Sequence, residues 1–140
     1  MATLILRPTS DISLGHTCSS GSSGYAMLNE ETADDDSTYI QQTINLGSSS
    51  SKTSSFKFTT AMPVSKLKIT AIKAYVRATS TSSHNLDSYN LDYTVSINGK
   101  TSSSQSMSLS DSYSTNSVSL STSTFNLSDV EINNLNNLNF

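Results

Sequence analysis

The sequence predicts an all-β protein: an antiparallel β-sandwich, jelly-roll-like, occupying residues 1–140 as a single domain, with one short helical turn near the C-terminus. Three observations lead there. The apolar residues recur with the period of a strand rather than that of a helix. Only 34% of the chain is hydrophobic and 14% charged, against soluble averages of roughly 45–50% and 25%, and the difference is made up by 32 Ser, 17 Thr and 12 Asn. Finally, a formal net charge of −3 is too small for the charge repulsion that usually accompanies low-hydrophobicity disorder.

The elements follow in order. Leu4 with Leu6, and Ile12 with Leu14, mark two short strands at the start. Between Ser37 and Leu46, Tyr39, Ile40, Ile44 and Leu46 form a partial period-2 pattern interrupted at Gln42. Phe56 and Phe58 alternate with Ser55, Lys57 and Thr59, the signature of a half-buried strand. From Lys66 to Arg77, Leu67, Ile69, Ala71 and Tyr75 fall on odd positions, whereas Ile72, Ala74 and Val76 switch the parity. A strand whose inward face changes midway implies a bulge or a bend between packed sheets. Lys and Ala would also suit a helix there, but β-branched and aromatic residues hold most of the apolar positions.

Leu91, Tyr93, Val95 and Ile97 alternate without a break with Asp92, Thr94 and Ser96, and the run ends in Asn98-Gly99. That dipeptide tolerates positive φ at both central positions of a type I′ hairpin turn. The return strand is expected over Thr101–Leu109, with Met107 and Leu109 inward. Val118 and Leu120 mark a further strand. Ser128-Asp129-Val130-Glu131 has the capping-box spacing of a helical turn, and Leu138-Asn139-Phe140 reads as a strand beginning. The serine tracts Ser48–Ser51, Ser80–Ser83 and Ser102–Ser104 read as flexible connecting loops.

Composition removes several function classes. No run approaches the roughly 20 apolar residues of a membrane-spanning helix. A sequence pI near 5.1 gives no basic field for nucleic acid. Cys18 is the single cysteine, so no internal disulfide is expected, and Met1–Leu6 lacks the pattern of a secretion signal.

The search for chemistry gives little. His16-Thr17-Cys18 supplies two metal-ligand types, but a structural zinc site needs four ligands. No nucleophile elbow occurs, since Gly21-Ser22-Ser23-Gly24 lacks the spacing, and the five glycines form no phosphate-binding loop. Asp34, Asp35 and Asp36 are a weak calcium candidate, without the alternating spacing of an EF-hand loop. No catalytic residue and no cofactor are expected.

Three stretches carry a family resemblance: Leu6-Arg7-Pro8-Thr9-Ser10-Asp11, Tyr25-Ala26-Met27-Leu28-Asn29-Glu30, and Asp34-Asp35-Asp36-Ser37-Thr38-Tyr39-Ile40. With the lysine-bearing stretch Leu67–Arg77, the Asn-Gly hairpin and the closing Leu127–Leu138 segment, the chain resembles small structural proteins of tailed bacteriophages and prophages. The resemblance implies a non-enzymatic virion protein, a surface decoration or fibre module built into a homo-oligomer beside other capsid or tail proteins. Such a protein would be made in the bacterial cytoplasm and carried on the virion. The alternative is a glycan-binding module contacting the host envelope, for which Tyr25, Tyr39, Tyr89 and Tyr113 are the aromatic candidates. Members of the group continue past the helical turn with one or two more strands, so either further residues follow Phe140 or a neighbouring copy or partner is expected to supply the strand that meets Leu138 and Phe140. Lys66, Lys68 and Lys73 on one side and Asp34, Asp35 and Asp36 on the other are the complementary charges expected at that contact.

Overall fold

The computed structural model describes residues 3–31, 37–45, 50–58, 69–81, 88–97 and 99–125. Its secondary structure is almost wholly strand, with two short 3₁₀ turns and no α-helix among these residues. The strands are β1 (Pro8–Leu14), β2 (Thr17–Cys18), β3 (Ile40–Gln41), β4 (Ser54–Phe58), β5 (Ile72–Ala78), β6 (Asn90–Tyr93), β7 (Ser96–Ile97), β8 (Lys100–Thr101), β9 (Gln105–Ser108) and β10 (Ser114–Leu120). They pair antiparallel as β1–β4, β2–β3, β5–β10, β6–β9 and β7–β8, each a two-stranded ladder. The all-β expectation is met at that level. The residues form two compact units, the described part of one within 3–58 and of the other within 69–125.

In the first unit, β1 spends seven residues against the five of β4. Its register shifts between Pro8 and Ser10 and again between Asp11 and Ser13, so Thr9 and Ile12 are extra residues. The second shift explains Ile12. The strand expected from Ile12 and Leu14 is the end of β1; strict alternation would place Ile12 on the same face as Leu14, but the bulge turns it outward and leaves it 66% exposed.

Asp11 then joins the strand to the 3₁₀ turn Tyr25–Met27. Its carboxylate accepts the amides of Gly24 at 2.9 Å and Tyr25 at 2.6 Å, two donors that the start of the turn would otherwise leave unpaired. Gly24 is buried, and a Cβ there would lie 2.5 Å from Leu14 Cδ1 and 3.0 Å from Phe56 Cε1; a side chain would lift the turn off β1 and β4. Arg7 fixes the chain beyond the turn, donating from Nε to Glu30 O at 2.5 Å and from Nη2 to Glu31 O at 3.1 Å.

Two other early expectations fail. Leu4 and Leu6 are not in a strand, and Leu4 and Ile5 stand exposed. Of the described residues 37–45, only Ile40–Gln41 forms a ladder, with Thr17–Cys18, and Leu46 lies outside the described residues. Beyond the pairing, the Gln42 side-chain amide donates to Ser50 O at 2.8 Å and accepts Lys52 N at 2.9 Å.

In the second unit the expected hairpin is present with one change. Ile97 pairs with Lys100 and Ser96 with Thr101, leaving a two-residue turn in which Gly99 has φ +72°. Further from the turn, Tyr93 pairs with Gln105 and Leu91 with Met107. Between these registers Thr94 and Val95 face Ser102, Ser103 and Ser104, so the return strand carries one extra residue. This bulge is closed by Ser102. Its amide donates to Val95 O at 2.8 Å, and its Oγ accepts the Val95 amide at 3.1 Å while donating to Ser103 O at 2.9 Å. The tract Ser102–Ser104, expected to be a flexible loop, is thus a hydrogen-bonded bulge inside a hairpin, with Ser102 buried.

The extra residue decides which face of β9 meets the core. Were the ladder to run unbroken through all three serines, with no bulge, Leu91 would face Ser106 and Tyr93 would face Ser104. With the bulge, Met107 comes inward at 5% exposure, and Ile97 and Phe125 are fully buried. Phe125 belongs to the second 3₁₀ turn, Thr122–Phe125, which packs on β8. Each of these side chains contributes roughly 1.5–3 kcal/mol on burial. The Tyr93 hydroxyl is buried here without a hydrogen-bond partner.

The strand expected over Lys66–Arg77 begins at Ile72 among the described residues, since Ile69, Thr70 and Ala71 are not paired. It runs in unbroken register against β10, from Ile72 opposite Leu120 to Ala78 opposite Ser114. Lys66, Leu67 and Lys68, Asn98, the Ser128–Glu131 capping box and Leu138–Phe140 lie outside the described residues.

Two substitutions test this account. Deleting Ser103 removes the extra residue and should leave an unbroken ladder with Met107 still opposite Leu91, changing stability by less than about 1 kcal/mol in chemical denaturation, whereas Ser102→Ala keeps the count but takes the acceptor from the Val95 amide and should cost about 1–3 kcal/mol. Gly99→Val forces a β-branched residue into the left-handed region and should lower stability by about 1 kcal/mol or more; an unchanged melting temperature would contradict the turn.

Candidate functional site

Of the contact residues expected from sequence, Lys73 is the one within the described residues; Asp34, Asp35, Asp36, Lys66, Lys68, Leu138 and Phe140 lie outside them. Lys73 stands on β5, where the parity of Ile72, Ala74, Val76 and Ala78 determines the site. Those four residues are half-buried, so Lys73, Tyr75 and Arg77 must project from the opposite face, and all three are exposed. On β10 the partners are Ser119 opposite Lys73, Ser117 opposite Tyr75 and Thr115 opposite Arg77, and these are exposed as well. One face of the β5–β10 ladder therefore carries a row of cation, aromatic and cation beside a row of three hydroxyls.

Strand geometry sets the dimensions of this face. Side chains two residues apart are separated by about 6.6 Å along the strand, so Lys73 and Arg77 stand about 13 Å apart with Tyr75 midway. The hydroxyl row runs alongside at the interstrand spacing of about 4.8 Å. Tyr75 is 66% exposed, high for an aromatic residue, and its ring has the apolar faces and polar tip that suit a contact open to water. Arg77 is held in place: its guanidinium lies over the Tyr113 ring, 5.1 Å from the centroid, a cation–π contact of about 0.5–1 kcal/mol at an exposed position.

The aromatic candidates chosen from sequence are placed differently. Tyr25, Tyr39, Tyr89 and Tyr113 are all half-buried, and Tyr75 is the tyrosine that offers its ring to solvent. The signal for it was present in the sequence, since the apolar parity of residues 72, 74 and 76 assigns residue 75 to the outer face.

A second cluster surrounds His16, beside the start of β4. Ser54 Oγ lies 3.1 Å from Gly15 N, 3.3 Å from His16 N and 2.7 Å from His16 Nδ1. The two backbone amides occupy both acceptor positions of the hydroxyl, so its one hydrogen is directed to Nδ1. That arrangement requires a neutral imidazole with its proton on Nε2. The electrostatics agree: burial first, and the nearby Lys52 charge second, hold His16 below its ordinary value of 6.5. Cys18, two residues on, is a half-buried free thiol in β2. Among the described residues no three His, Cys, Asp or Glu side chains are grouped to hold a metal ion, and no helix is long and apolar enough to cross a membrane.

No protein-family model, no curated protein and no solved structure matches this chain.

The His16 geometry has a pH signature. Its folded-state value lies below the unfolded one, so as pH falls through about 6.5 the unfolded chain takes up the proton first. The stability associated with this site is present above that pH and lost below it. Denaturation midpoints of the wild type should therefore fall more steeply between about pH 7 and about pH 5 than those of His16→Gln. Parallel profiles for the two proteins would contradict the assignment.

Proposed function

We propose that this chain is a non-enzymatic structural protein of a bacteriophage virion, a surface decoration or fibre module that assembles as a homo-oligomer and whose sheets are arranged as a jelly-roll-like sandwich. The observation that carries this reading is the pairing pattern: among the described residues every strand has a partner on one side and no ladder exceeds two strands. Two-stranded ladders are marginal alone, and their open edges present unpaired amides and carbonyls that another strand can complete. A neighbouring copy of the chain is the natural source of such strands in a repetitive particle. The opening, acidic and closing segments that resemble phage structural proteins support the same reading.

In this reading Leu138 and Phe140 form the edge contact with a neighbouring copy, and Lys66 and Lys68 meet Asp34, Asp35 and Asp36 across it. Lys73, which projects from a sheet face rather than an edge, is assigned elsewhere. Localisation is the virion, after synthesis in the host cytoplasm.

One observation favours a second reading, a glycan-binding module that contacts the host envelope: the exposed Tyr75 ring among hydroxyl and cationic side chains.

Sedimentation at several concentrations tests the structural reading. The full chain should associate as concentration rises, and deleting Leu138–Phe140 should weaken both association and thermal stability. A full-length protein that stays monomeric throughout, with a melting point unmoved by the deletion, would overturn it. Electron cryomicroscopy of particles with and without the gene product supplies position and copy number.

A further inference from the structure

We infer that the outer face of the β5–β10 ladder is a binding surface for an anionic polysaccharide, with Tyr75 as the stacking platform and Lys73 as the cation that meets the acidic group. The inference rests on the glycan-binding reading above and assigns it a site and a ligand chemistry.

Charge gives the sign of the partner. The chain carries 11 acidic and 8 basic residues, yet the six outward side chains of this ladder include two cations and no carboxylate. A face that is basic on an acidic protein favours anionic partners and disfavours cationic ones. Arg77 is already oriented by Tyr113, so it contributes positive potential at a fixed place. Lys73, on its flexible stem, is the point charge that can follow a carboxylate or sulfate.

The remaining groups select the saccharide. A pyranose ring presents a C–H face that packs on an aromatic ring, and hydroxyls on its rim that both donate and accept. Tyr75 supplies the ring. Ser117 lies directly across from it, with Thr115 and Ser119 two residues to either side, so a chain lying along the strands meets a row of hydroxyls of matching capacity. The other polyanion classes fit less well. Single-stranded nucleic acid is bound by several stacking aromatics in a basic groove, whereas this face has one open aromatic. An added peptide strand binds at a sheet edge through its backbone, whereas these six side chains project from a face.

The test measures binding of the full chain to immobilised polygalacturonate, dextran sulfate, unmodified dextran and inorganic polyphosphate. Saturable binding to one or both acidic polysaccharides, with little to dextran or polyphosphate, is the expected result; the two acidic arms separate carboxylate from sulfate. Tyr75→Ala should weaken that binding about tenfold, the scale of one lost aromatic contact, and Lys73→Glu should weaken it at least as much. Lys100→Glu on β8 makes the same charge change off this face and should leave affinity within about twofold. Melting curves of all three variants should match the wild type, because the altered side chains are exposed. Polysaccharide binding that survives both Tyr75→Ala and Lys73→Glu would overturn the site while leaving the glycan reading intact. Equal binding to polyphosphate would overturn the saccharide component, and silence on every polysaccharide would overturn both the site and the reading it rests on.

Discussion

One extra residue governs the second unit. The side-chain period of a strand is two, so inserting a single residue exchanges its faces completely. In β9 the bulge takes up that residue and so prevents the exchange, keeping Met107 opposite Leu91 and turned to the interior, with Ser106 and Ser108 in water. The bulge is affordable because Ser102 repairs the ladder where it is broken, its hydroxyl taking the Val95 amide that the displaced backbone cannot reach. The buried group of Ile97, Met107 and Phe125 follows from that repair. An alanine at position 102 would offer the same backbone and leave a half-buried amide without an acceptor, a loss of about 1–3 kcal/mol.

The first unit uses the same means with different residues. β1 carries two extra residues against β4, and polar side chains again take over where backbone pairing lapses. Asp11 holds the amides that open a 3₁₀ turn, Gln42 links itself to residues 50 and 52, and Ser54 collects two amides and an imidazole. Fully buried large apolar side chains are few among the described residues. Side-chain-to-backbone hydrogen bonds accordingly carry a large share of the specificity that a bigger core would otherwise supply.

How much of this could be read from the sequence follows from the physics of each element. The run Leu91–Ile97 was legible because its alternation is unbroken and a glycine suited to positive φ ends it. β10 was legible from Val118 and Leu120, and β4 from Phe56 and Phe58. The bulges were not, because a run of serines carries no hydropathy pattern and reads equally as a loop. Ile12 and Leu14 do lie in β1, but the outward turn of Ile12 was not legible, since period-2 counting is valid only while the register holds. Tyr75 shares odd parity with Leu67, Ile69 and Ala71, and only the switch to Ile72, Ala74 and Val76 as the half-buried set puts it on the outer face. The expected acidic and C-terminal contact residues lie outside the described residues.

Serine is the most abundant residue of this chain, and the structure divides its serines into two unequal populations. Among the described residues most stand in water and could be exchanged for threonine, asparagine or alanine with small effect. Ser54 and Ser102 cannot, because each satisfies several hydrogen-bonding groups at one point of the fold. A shuffled sequence that kept the composition, and even every hydrophobic position, would lose those two points and with them the register of both units. Mutational tolerance in such a chain is therefore sharply uneven: broad drift across the surface, and near-invariance at a few sites whose residue type looks the most replaceable of all.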